Sequence, residues 1–186
     1  MLKKFNEIKE RYDKYRDSFL KQGKLPIRST AKGFWGYSIC EEVFEIFNRI
    51  NLQDYSHFLD LGSGDGRVVM IASLFTKATG VEADRTLVKK SRQISQELSS
   101  SAEFIHGDFF DHELSKYDIL YSFPDTSLHF GLKDKLEKEL NGKLILVGPQ
   151  IFPVPLKKHE EFFINGTKIG IYSKSNYSKE VNKLNK

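Results

Sequence analysis

Residues 57–73 read "HFLDLGSGDGRVVMIAS": a short apolar stretch, three glycines two apart at Gly62, Gly64 and Gly66, and a second apolar stretch with helical spacing. At a strand-to-helix junction, missing side chains let backbone N–H groups approach a ligand and remove the steric penalty on positive φ. The spacing argues against two common uses of such a turn. The dinucleotide fingerprint requires G-x-G-x-x-G, and here Arg67 stands where its third glycine belongs. The P-loop requires a following Gly-Lys-Ser/Thr to hold phosphates and magnesium, and none follows.

Acidic residues around the turn sharpen the reading. Asp60 ends the strand before the turn, Glu82 ends the next in "GVEAD", 18 residues after Gly64, and Asp108 ends a third in "FIHGDFF". An acid about 20 residues beyond a glycine turn accepts the hydroxyls of a ribose. Carboxylates at three successive strand ends would surround one ligand carrying an amino group, a ribose and an adenine.

Outward from this turn the pattern alternates. "HFLDLG", "KATGVEAD", "AEFIHGD", "YDILYSF" and "GKLILVG" read as strands, and "DGRVVMIASLF", "TLVKKSRQISQEL" and "SLHFGLKDKLEKEL" as helices. Such alternation predicts an α/β fold, a parallel sheet covered on both faces with right-handed crossovers. Ligands then sit at the carboxyl ends of the strands. Near the end, "EEFFI" and "TKIGIYS" flank Asn165-Gly166, the dipeptide of two-residue type I′ hairpins, so the sheet should finish with an antiparallel pair. Between them and the last parallel strand, "PQIFPVPLKKHEEFF" is too proline-rich for a helix and reads as an open loop.

Toward the N-terminus, Leu2, Phe5, Ile8, Tyr12, Tyr15 and Phe19 recur with helical period until Gly23 and Pro26 interrupt it. Ser38 is placed to cap a second helix, with Glu41 as reciprocal partner and Ile39, Val43, Phe44, Ile46, Phe47 and Ile50 as its buried face. Three units are expected: an N-terminal helix and aromatic loop (1–36), a core domain (37–175) and a basic tail (176–186).

Composition bounds the remaining possibilities. At 186 residues, 39% hydrophobic and 29% charged, the chain is expected to be a soluble single domain. Its apolar runs fall far short of a membrane span and its start lacks the apolar core of a signal peptide, so a cytoplasmic protein is expected. The lone Cys40 offers neither an internal disulfide nor a metal site. His57, His106, His112, His129 and His159 are scattered without ligand spacing, so no metal is expected; His106, close to Asp108, is the one to test as a base. Charge is uneven, with +5 in residues 1–28, +3 in 174–186 and −4 between. Basic ends on an acidic body suit nucleic acid or an acidic protein, or a solvated helix and a frayed tail.

The motifs resemble those of class I S-adenosylmethionine-dependent methyltransferases: "LDLGSGDG" their first, "GVEAD" their second, "IHGDFF" their third and "YDILYSFP" their fourth. The resemblance implies a Rossmann-like seven-stranded sheet, mostly parallel with a C-terminal antiparallel hairpin, plus N-terminal helices. It implies S-adenosyl-L-methionine as cofactor, with Asp60, Gly62 and Gly64 lining the methionine side, Glu82 holding the ribose, and Asp108 with the Phe109 backbone meeting the adenine. Ser63, Asp65, Gly66 and Ala83 complete the cofactor-binding set; Asp65 is equally placed to pair with Arg67 instead. Within the superfamily, "DLGSGDGRVV", "FIHGDFF" and "KLEKELNGKLIL" resemble the archaeal and mitochondrial type of protein-lysine methyltransferase.

The acceptor should meet the methyl group at the fourth strand end. Methyltransferases of planar nitrogens often carry Asn/Asp-Pro-Pro-Tyr/Phe there, and this chain reads Ser122-Phe123-Pro124-Asp125. Nucleobase amines are thereby disfavoured, while lysine remains open. Tyr121, Phe123 and Asp125 are the candidate catalytic residues, with Tyr121 equally suited to the core. "GFWGY", with Phe34, Trp35 and Tyr37 between glycines, reads as a lid or as an aromatic plug. With no insertion long enough for a lid domain, a macromolecular acceptor is favoured: a monomeric enzyme methylating protein lysine. RNA or small-molecule methylation, and a non-catalytic cofactor-binding partner protein, are the other readings.

Overall fold

The computed structural model describes residues 1–30, 32–124, 130–148 and 156–175. Helix α1 (Leu2–Leu20) is followed by a short antiparallel hairpin, β1 (Arg28–Thr30) and β2 (Gly33–Trp35), and by α2 (Cys40–Arg49). The core then runs β3 (His57–Leu61), α3 (Arg67–Ala72), β4 (Lys77–Glu82), α4 (Arg85–Glu97), β5 (Glu103–His106), β6 (Ile119–Ser122), α5 (Phe130–Glu139) and β7 (Lys143–Val147). It closes with β8 (Lys157–Ile164) and β9 (Thr167–Ser173).

Seven strands form one sheet in the order β5-β4-β3-β6-β7-β9-β8. The first five in that order are mutually parallel, and β9 runs antiparallel between β7 and β8. Asn165 (φ 48°) and Gly166 (φ 83°) both occupy the left-handed region, as a type I′ hairpin requires. Chain order reverses direction between β3 and β6, so the crevice beyond their carboxyl ends is the place where such sheets bind ligands.

Strand alternation sorts the core into two faces. Phe58, Ile119, Tyr121, Ile145 and Val147 pack with α1, α2, α3 and α4 residues on one face. Leu59, Leu120, Leu144 and Leu146 pack with Leu132, Leu136 and Leu140, in and just beyond α5, on the other. Both faces being covered, these strands are apolar almost throughout rather than alternating with polar residues. From α1, Phe5, Ile8 and Tyr12 enter the first of these clusters. Among the described residues no helix is long and apolar enough to cross a membrane.

Three sequence expectations are corrected. The second helix starts at Cys40 with Ile39 at its N-cap, no side-chain cap bond forms, and Ile39 is exposed. Ser38 is drawn elsewhere: its carbonyl accepts from the Arg67 guanidinium, and Glu41 pairs with Lys9 instead of reaching back. The segment read as an open loop becomes strand β8 from Lys157 onward; its first residues are exposed and charged, which suits a sheet edge and hides the strand from an alternation test. Residues 149–155 of that segment and the basic tail from 176 lie outside the described residues. The aromatic loop expected within residues 1–36 contributes the β1–β2 hairpin.

Candidate active site

A cavity of about 350 Å³ opens at the carboxyl ends of β3, β4 and β6, roofed by the β1–β2 hairpin. Asp60, Gly62, Ser63, Gly64, Asp65, Glu82, Ala83, Asp108, Phe109, Tyr121 and Phe123 all line it. Gly66 does not. A Cβ there would lie 2.5 Å from Ser91 Cβ and 2.6 Å from Phe104 Cε1, so this glycine serves the packing of α4 and β5 against the turn. Asp125 lies outside the described residues.

The turn itself works differently from an anion cradle. Gly62, Gly64 and Gly66 have φ of 81°, 55° and 84°. Their N–H groups are nonetheless turned into the protein: Gly62 and Ser63 donate to the Val81 carbonyl, Gly64 to Glu82 Oε2 and Gly66 to the Ser63 carbonyl. The expectation of turn N–H groups aimed at a ligand is therefore corrected for these four, whereas the Asp65 N–H has no acceptor among the described residues. What the missing side chains allow is close approach. At Gly64 a Cβ would stand 2.6 Å from Trp35 Cδ1 and 2.8 Å from Nε1, so the indole lies directly on the turn.

Carboxylates dominate the floor. Asp60 is 3% exposed, and its side chain makes no hydrogen bond among the described residues. Burial first, then Glu82 and Asp65, push its carboxyl well above the ordinary range. Such a group favours a cationic donor, which would restore its charged form. Glu82 is held rigidly, accepting from Gly64 N (2.9 Å) and Asp84 N (2.7 Å). Asp108 accepts from Phe110 N (3.0 Å) and pairs with Lys32 Nζ (3.0 Å). Burial pushes Asp108 up, but these two partners outweigh it and hold the carboxyl below its usual value.

Asp65 has a different occupation. Its carboxylate meets Arg67 Nη2 at 2.5 Å in a pair 3% and 5% exposed. The guanidinium lies 4.9 Å from the Tyr12 ring centre and 4.8 Å from that of Tyr37, while Tyr12 Oη donates to the Asp65 carbonyl. Helix α1 and the loop before α2 are thus fastened to the glycine turn. Beyond the proximity of Asp65 and Arg67, nothing along the chain announces this tether.

At the acceptor side, Tyr121 is a core residue, 1% exposed, packed against Phe47 and Phe58 with ring centres 6.1 Å away from each. Burial, then Asp60, pushes its phenol far up, against a hydrogen bond with Ser38. Phe123 is half-exposed at the cavity rim. His106 is exposed, contacts the Ala83 carbonyl through Nε2 at 3.1 Å, and does not line the cavity. Among the described residues no cluster of three or more His, Cys, Asp or Glu could hold a metal. Lys32, Thr30 and Leu132 also line the cavity and were not anticipated; none sits in a motif, and only the folding back of the hairpin and α5 brings them there.

The strand order and the cavity at its switch point define a class I methyltransferase fold. An RNA methyltransferase from Salinibacter ruber, solved with S-adenosyl-L-homocysteine, shares it at 20% identity, covering 77% of this chain and 97% of that one with a TM-score of 0.68. The Escherichia coli putative methyltransferase yhhF shares it at 18% identity, covering 73% and 88%, with a TM-score of 0.60. Within that class, the chain belongs to the ANTKMT methyltransferase domain family, whose model matches residues 60–161. Two curated relatives bear lysine-directed names. One is a protein-lysine N-methyltransferase of Saccharolobus islandicus, 33% identical over 86 residues (44% of this chain, 53% of the relative). The other is a lysine N-methyltransferase of Caenorhabditis elegans named for a component of ATP synthase, 36% identical over 100 residues (52% of each). The match spans about half the length of each relative.

Proposed function

We propose that this protein is an S-adenosyl-L-methionine-dependent methyltransferase that N-methylates lysine side chains of a protein substrate, acting as a cytoplasmic monomer with residues 37–175 as its catalytic domain. The observation that carries the cofactor reading is Asp60, a buried carboxylate left without a donor among the described residues, in a cavity of carboxylates. Asp60 would take the ammonium of the methionine moiety, Glu82 the ribose and Asp108 the adenine amino group. The bound cofactor supplies an electrophilic methyl on a sulfonium, transferred in one displacement.

A lysine must be neutral to attack, against an ordinary pKa of about 10.4. Phe123 at the rim, with Leu132 and Tyr121 lining the cavity behind it, would give the acceptor an apolar surrounding that favours the neutral amine. Tyr121, its phenol pushed far up, stays protonated and is no base. Two relatives named as lysine N-methyltransferases support the acceptor class. In the basic N-terminus five of the nine cations, Lys9, Arg11, Lys14, Arg16 and Arg28, are engaged in ion pairs, which weakens the RNA reading.

Incubation with methyl-labelled cofactor and a cell lysate tests the proposal. Label should appear in protein bands and be recovered as methyl-lysine after hydrolysis. Label removed by ribonuclease and resistant to protease refutes the lysine assignment, and binding of cofactor without transfer to any pool refutes catalysis.

A further inference from the structure

The β1–β2 hairpin places one side chain against the glycine turn that no motif accounts for. Trp35 ends β2, is 6% exposed and lines the cavity, with the Cδ1–Nε1 edge of its indole lying on Gly64. The indole N–H has no acceptor among the described residues. It is not sealed in protein either, because the enclosed side-chain polar atoms without partners are Arg28 Nε and Ser63 Oγ. In a side chain this buried, the opening is onto the cavity. The Asp60 carboxylate is in the same condition among the described residues: buried, unpartnered and open to the same cavity.

A carboxyl that a cation would hold in its charged form and a neutral donor, both unpaired beside one turn, are the complement of an α-amino acid zwitterion. The cationic side chains that line the cavity, and three N–H groups of the turn, are committed. Arg67 gives Nε and Nη2 to Asp65 and Nη1 to the Ser38 carbonyl, Lys32 is on Asp108, and the N–H groups of Gly62, Ser63 and Gly64 all point inward. A buried donor or acceptor left unmade is costly, so such groups are kept open for a partner.

Resting on the cofactor reading above, we propose that Trp35 is a cofactor-binding residue whose indole N–H donates to the carboxylate of the methionine moiety, while Asp60 takes its ammonium. The hairpin is then part of the cofactor site. It is held to the core at its two ends by the Arg28–Asp84 and Lys32–Asp108 pairs.

Calorimetric titration of the full chain with S-adenosylhomocysteine and with its decarboxylated analogue tests this, since the two ligands differ only in the carboxylate. Trp35→Phe should weaken S-adenosylhomocysteine about ten-fold or more, as loss of a hydrogen bond to a charged group does, and leave the decarboxylated analogue unchanged. Equal weakening of both ligands, or of neither, overturns the proposal. The same holds if Tyr37→Phe, at the other lining aromatic with a hydroxyl, removes the preference for the carboxylate and Trp35→Phe does not. Failure of the wild-type chain to bind either ligand instead overturns the cofactor reading itself. Because Trp35 is the sole tryptophan, growth on benzothienylalanine replaces it with a ring of the same shape lacking the N–H. That protein should show the same carboxylate-selective loss even if Trp35→Phe fails to fold; a retained preference overturns the proposal.

Discussion

Alanine at Gly64 and at Gly62 should destabilise the protein unequally, and the inequality measures the indole on the turn. Both residues have positive φ, 55° and 81°, so each substitution forces an L side chain into the left-handed region at about 1–2 kcal/mol. The strain is if anything smaller at Gly64, whose φ is near the left-handed minimum. Surroundings reverse the order. A Cβ at Gly62 meets nothing within 4 Å, whereas at Gly64 it falls 2.6 Å from Trp35 Cδ1. Relieving that overlap costs about 1–3 kcal/mol more, the usual range for overpacking. For a chain of this length Gly64→Ala should therefore melt roughly 2–12 °C below Gly62→Ala. Urea unfolding of both variants gives the free energies, and a cycle with Trp35→Ala should recover most of the excess. A loss at Gly64 equal to or smaller than that at Gly62 would refute the placement of the indole.

Other expectations follow from the same geometry. Arg67→Met leaves Asp65 charged and buried and should cost about 3–5 kcal/mol, while replacing both partners with apolar residues should cost less than the two single losses together; chemical denaturation checks both. Glu82→Ala removes the acceptor for Gly64 N and Asp84 N and the proposed ribose contact, so S-adenosylhomocysteine affinity should fall at least about ten-fold, and unchanged calorimetric affinity would refute the ribose assignment. Burial, then Lys77, holds His57 below its ordinary pKa of 6.5, and burial, then Lys116 and Lys135, does the same at His112. The unfolded chain therefore takes up these protons first. Their contribution to stability is complete above pH 6.5 and is lost as pH falls through the two depressed values. Urea midpoints measured from neutral pH downward should show this loss, and a His57→Gln/His112→Gln variant should reduce it, the remainder coming from His159, which burial also holds low.

Much of the fold was legible because it is written in local periods. Helical spacing from Leu2 to Phe19 marked α1, apolar runs bounded by turns marked β3 to β7, and Asn165-Gly166 marked the final hairpin through its demand for positive φ. The acids at or beside three strand ends were legible for the same reason, since a place near a strand's end is a local property and the parallel sheet brings successive ends together. Where the reading failed, a distant partner intervened. The Ser38 side chain bonds the distant Tyr121 rather than the start of α2; β8 was hidden because its edge needs charge rather than alternation; Gly66 looked like its neighbours and turned out to accommodate Phe104.

By itself the sequence determined the α/β alternation, the glycine turn and the acidic floor of the cavity, since these depend on residue order and short-range geometry. Only the tertiary structure decided which polar groups remain unpaired. Glu82 looks as available in the sequence as Asp60, yet two backbone N–H groups claim it first. Trp35 acquires its place only when the hairpin folds onto Gly64. A hydrogen bond is a statement about two partners, and here the second partner is usually far along the chain.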